Sequence, residues 1–232
     1  MTALRGASQP PSFVPARFEH AFYGGVALVL LALVAAGFAP TFFVRDVAIL
    51  GPLSSAVLVH GIAGTAWLLL FACQIGLVAT GRVAWHRRLG LAAAAVAVVF
   101  VASGVVVVAN LEAGHGSEPL TWRAPHLFTN GAPLASFALL VAAGIWQRAA
   151  AARHKRLMLL AAVVLAPPAI GRLFGALGLA ELNFVVYAAL AFASAAFDWF
   201  AHGRPHAISL FGAVALVAID ATTTVWLAAV GS

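Results

Sequence analysis

Apolar residues gather into seven long runs, at about 22–42, 53–79, 89–109, 125–147, 157–178, 182–199 and 207–230, separated by short stretches holding Gly, Pro or charge. Each run is close to the roughly 20 residues that an α-helix needs to cross the hydrocarbon of a bilayer. The alternating ten-residue pattern of a membrane β-barrel is absent, and backbone hydrogen bonding leaves the helix as the spanning structure. The pattern therefore predicts an all-α polytopic membrane protein, a seven-transmembrane-helix bundle. Residues 22–232 form one domain behind a polar cytoplasmic tail, 1–21, and the first run reads as a retained helix rather than a cleaved signal peptide.

Composition strengthens this reading. Of the 232 residues 63% are hydrophobic and 9% charged, with a mean hydropathy of +1.02, whereas soluble domains carry about 25% charged residues. The net charge of +6 would suggest nucleic acid in a soluble chain, but here it follows topology. With the N-terminus inside, Arg5, Arg17, Arg82, Arg87, Arg88, Arg148, Arg153, Lys155, Arg156 and Arg204 all fall on cytoplasmic segments. Only Arg45 and Arg123 fall outside, and Arg172 lies within a span. The C-terminus is then periplasmic, and no nucleic-acid partner is expected.

Several chemistries are excluded. Lys155 is the only lysine and sits in a loop, so a retinal-type Schiff base in the last helix is ruled out. Gly-rich phosphate loops and the G-x-S-x-G and H-E-x-x-H motifs are absent, so no catalytic hydrolysis is expected. Cys73 is the only cysteine, so no intrachain disulfide forms.

The polar residues inside the runs are the informative ones. His60, Trp67 and Gln74 stand seven apart and share one helix face, which serves either interhelical hydrogen bonding or a cofactor or substrate site. Arg172 and Asp220 both lie about 20–23 Å from the cytoplasmic edge at 1.5 Å per residue, so they can pair, or Arg172 can meet an anionic ligand group. Pro167 and Pro168 predict a kink in the fifth span. Tyr187 and Asp198 lie near one face of the sixth span, and Asp198, His202 and His206 follow at steps of four, a spacing that also suits zinc. In the outer loop, Glu112, His115 and Glu118 read as a solvated stretch or a weak divalent-ion site.

Histidines recur at matched depths. His60 and His126 share an outer level, although Asn130, Gly131 and Pro133 predict an irregular helix start after His126. His86 and His154 share an inner level, among Arg87, Arg88, Arg153 and Lys155. Paired neutral imidazoles on two helices of a bundle can hold a b-type haem. This arrangement resembles the cytochrome b561 superfamily, whose four-helix core binds two haems and passes electrons across the membrane. The resemblance implies that His60 and His126 ligate an outer haem iron and His86 and His154 an inner one, with Arg172 a propionate partner. The stretch HGIAGTAWLLLFACQIGLVATGRVAWHRRLG from His60 to Gly90, HKRLMLLA at 154–161 and GRPH at 203–206 are similar to signatures of a group of bacterial multi-pass inner-membrane proteins that carries no assigned activity.

Three functions follow as expectations. The first is a haem b protein moving electrons across or within the bacterial inner membrane, a membrane oxidoreductase if it is an enzyme, with quinol or another membrane redox protein as partner. The second is a binder or transporter of a small lipid-like ligand that uses His60, Trp67, Gln74, Tyr187, Arg172 and Asp220 around an outward cavity. The third is an accessory or assembly subunit of a larger membrane complex, packing through small-residue faces such as Ala92 to Ala95.

Overall fold

A computed structural model describes residues 13–231. Of the expected tail, residues 1–12 lie outside the described residues, and helix already begins at Ala16. The helices are α1 (Ala16–Phe38), α2 (Val47–Leu50), α3 (Ser55–Ala79), α4 (Val83–Gly114), α5 (Leu120–Trp146), α6 (Ala151–Val163), α7 (Pro167–Ala176), α8 (Asn183–His202) and α9 (Ala207–Gly231), with no strand among the described residues. Seven spans are long and apolar enough to cross a membrane, α6 and α7 together forming the fifth. The chain is thus an all-α integral membrane protein.

Local chemistry sets the ends of these helices. Ser54 caps α3 by accepting from the Val57 N–H, and Asp46 caps α2 by accepting from Ala48 and Ile49. Pro40 cannot donate to the preceding turn, and α1 ends in a wide turn that closes from the Val44 N–H to the Ala39 carbonyl at 2.8 Å. Gly203, at φ 72°, terminates α8 in the left-handed conformation that glycine adopts without strain. As expected from Pro167 and Pro168, the fifth span breaks, with the turn at 164–166 joining α6 to α7. The irregular start expected after His126 is not found. Helix α5 runs unbroken through Pro125 and Pro133, because its packing against α4, α6 and α9 holds it across the missing bonds.

The fifth span is the hub. Half of its most apolar stretch is buried, against a third or less for every other span. Helices α1, α3, α5, α8 and α9 pack directly against it, with α4 joined through α3 and α5, and Phe22 stacked on Phe197 at 4.3 Å brings α1 to α8. Outward faces remain apolar: Leu91, Val98 and Val105 form an exposed stripe along α4. Such a surface requires a lipid bilayer around it.

Candidate functional site

The turn between α3 and α4 and the turn between α5 and α6 lie at the same end of the bundle, the end that carries the basic clusters. They bring His86 and His154 together, with ring centroids 6.2 Å apart and ring planes at 85°. The His154 Nδ1 lies 2.8 Å from the Gly144 carbonyl and donates to it. That bond places the proton on Nδ1 and leaves the Nε2 lone pair free. The His86 Nδ1 is buried without a hydrogen-bond partner, as is the Gln74 Oε1 beside it. Gln74 reaches the site through its other end, its Nε2 donating to the His86 carbonyl at 3.1 Å. Two orphaned polar atoms in one cluster are unusual, since buried polar groups are nearly always satisfied.

A second polar cluster lies at the same end. Arg156 and Asp198, each only 1% exposed, form a two-pronged ion pair through Nε and Nη2 of the arginine. The Asp198 Oδ2 also accepts from Ser209 Oγ at 2.6 Å and from the His206 backbone N–H at 3.2 Å. Ser209 in turn meets Ser194 at 3.0 Å, and the His202 Nδ1 stands 3.9 Å from Asp198. The His206 Nδ1 accepts from the Ile208 N–H and so caps α9. Burial, reinforced by the Arg156 charge, holds the His206 imidazole below the ordinary histidine value. Of the set Asp198, His202 and His206 that spacing offered to zinc, Asp198 is committed to Arg156 and the His206 Nδ1 to the Ile208 N–H, and no group of three or more metal-ligating residues is found among the described residues.

Sequence spacing did not single out Arg156, which counted as one more cytoplasmic charge. The signal was nevertheless present, because Arg156 lies six residues into α6 and Asp198 five residues from the end of α8. Depth matching of that kind was applied to Arg172 and Asp220, which the structure does not pair. Arg172 donates to the Pro168 carbonyl at 2.9 Å and lies 4.5 Å over the Phe38 ring.

The face of His60, Trp67 and Gln74 does not act as a single site. His60 stacks on Phe100 at 4.2 Å, with its Nδ1 3.1 Å from the Phe100 carbonyl. Trp67 is buried against Phe137 and Phe71, and Phe100 meets Phe137 at 4.8 Å, so aromatic rings fill the space among α3, α4 and α5. His126 stacks on Trp122 at 3.9 Å and donates from Nδ1 to the Trp122 carbonyl. No ring contact or hydrogen bond joins His60 to His126 among the described residues. In the outer loop, Glu112 is committed to Arg123 at 3.1 Å and His115 to the Leu111 carbonyl.

The remaining polar residues surround a cavity of about 270 Å³ in the half of the bundle away from the basic end. Tyr187 and Asp220 line it, together with Asn130 and Thr129, whereas His60, Trp67, Gln74 and Arg172 do not. The chain matches no protein-family model, no curated protein and no solved structure.

Proposed function

We propose that this membrane protein holds a b-type haem at the cytoplasmic end of its bundle, between His86 and His154, and carries electrons within or across the bacterial inner membrane. The observation that supports the reading is the histidine pair itself. Two imidazoles 6.2 Å apart can share one metal ion, since each nitrogen binds a first-row metal at about 2.0–2.1 Å. The donor set fits the group. The Gly144 carbonyl sets the tautomer of His154, as outer partners of metal-bound histidines do, and coordination would satisfy the orphaned Nδ1 of His86. The helices that carry the two residues, α4 and α6, share little direct packing.

A haem bound there supplies one-electron transfer. The chain's own residues do the rest: Gln74 anchors the start of α4 through the His86 carbonyl, and Arg87, Arg88 and Arg153 put positive charge beside the pair, where porphyrin carboxylates need it. We place the haem at this pair because His60 and His126 are engaged separately, each with its own neighbours. Quinol or a second membrane redox protein remains the natural electron partner.

The test is a haemin titration of detergent-purified apoprotein. A shifted, saturating Soret band with one haem per chain is expected for the wild type and for His126→Ala, and its loss is expected in His86→Ala and in His154→Ala. No haemin uptake by folded wild type, or uptake unchanged in both inner variants, overturns the assignment.

A further inference from the structure

We propose that the cavity lined by α5, the α6–α7 break, α8 and α9 binds a small organic cation, an ammonium-bearing molecule with its charged head at Asp220. This site lies in the other half of the bundle from the histidine pair and does not depend on the haem reading.

Charge provides the first argument. Asp220 opens into the cavity, and among the described residues its carboxylate makes no ion pair or hydrogen bond; only its backbone carbonyl is used, accepting from Thr224 Oγ1 at 3.0 Å. A bare carboxylate at this depth in a membrane needs a counter-charge or a proton. Arg172, the cation at matching depth, is turned to the Pro168 carbonyl and the Phe38 ring instead, and no Lys, Arg or His lines the cavity.

The second argument is that much of the polar wall offers acceptors, Ser136 and Tyr187 being the hydroxyls there that can still donate. Thr129 and Thr223 spend their hydroxyl protons on the Pro125 and Ile219 carbonyls, at 2.7 and 2.9 Å, and so offer lone pairs. Asn130 commits one of its two Nδ2 protons to the His126 carbonyl at 2.8 Å, and its Oδ1 can accept. Pro133 and Pro168 have no N–H to give the carbonyls of Thr129 and Val164 four residues earlier, and all four residues line the cavity. Carbonyls freed in this way, beside a carboxylate, are how broken membrane helices receive cations.

Size and chemistry then select the kind of cation. A volume of about 270 Å³ is near the lower end of small-molecule pockets, roughly 300–1,000 Å³, and far exceeds a bare alkali ion. The single charge of Asp220 matches a monovalent cation, while Leu216, Ile219 and the prolines supply apolar wall for a hydrocarbon body.

The experiment uses the full chain in nanodiscs, followed by thermal unfolding and calorimetry with benzylammonium and tetramethylammonium chlorides. Benzyl alcohol and sodium chloride at equal ionic strength are the controls. A saturable rise in Tm with at least one ammonium probe and with neither control is expected, weakened about tenfold or more in Asp220→Asn. Should Asp220→Asn not fold, Thr223→Leu, which keeps the carboxylate and fills the space, is expected to abolish the response. The proposal is overturned by no saturable shift with either probe, by an equal shift with sodium chloride, which would mark an alkali-ion site, or by a response unchanged in the folded variants, which would mark partition into the bilayer.

Discussion

Arg156 is buried because everything its guanidinium needs is waiting there: the Asp198 carboxylate on two of its nitrogens and the Ala152 carbonyl on the third. Removing one partner of such a pair leaves an uncompensated charge, which costs about 3–5 kcal/mol, whereas replacing both with apolar residues is often neutral. Arg156→Met should therefore lower the unfolding temperature sharply, and Arg156→Met with Asp198→Leu should recover most of the loss. His206 answers to pH in the same cluster. Its folded form resists protonation because of burial and then Arg156, so the unfolded chain binds more protons below the ordinary histidine value of 6.5. Stability should be full above that value and fall as the pH is lowered, seen as a lower Tm at pH 5.5 than at 7.5. His206→Asn, which keeps a cap for α9 without titrating, should narrow this difference. None of this was legible from residue type alone: a basic residue in a basic loop reads as a topology signal until a carboxylate at equal depth is considered with it.

At the scale of elements, hydropathy was nearly sufficient. Seven apolar runs became seven spans, and Pro167 with Pro168 broke the fifth where their missing N–H groups require. Pro133 carries the same defect, yet α5 continues through it, because neighbouring helices decide whether a missing bond bends a helix, and a single sequence does not display them. Close approaches were equally hidden. A Cβ on Gly37 would stand 2.3 Å from the Ala169 carbonyl oxygen and 2.9 Å from its carbon, so α1 lies directly against the backbone of α7, which cannot step aside as a side chain can. Gly37→Ala should cost about 1–3 kcal/mol through overpacking. Gly24→Ala, in the same helix with nothing within 4 Å of its Cβ, should be neutral or stabilising by up to about 1 kcal/mol. Thermal unfolding of the two variants side by side checks the contrast.

Across the whole molecule, the fifth span packs against α1, α3, α5, α8 and α9, with α4 joined through α3 and α5, and polar chemistry lies at two separate levels. The basic end holds the histidine pair and the Arg156 cluster, and the opposite half holds the acceptor-lined cavity at Asp220. Depth counted from the basic loops correctly placed His86 beside His154, since both begin helices at one end and the count to the membrane edge is short. It was less informative for His60 and His126, which stack on Phe100 and Trp122 respectively and share no ring contact or hydrogen bond among the described residues. The central claim is that the inner pair holds haem, and the most direct measurement is a reduced-minus-oxidised visible spectrum of protein purified in mild detergent, with iron quantified per chain. The account predicts a b-type α-band with about one iron per chain, lost in His86→Ala and His154→Ala; a folded wild-type protein that is colourless and free of iron after expression with ample haem would contradict it.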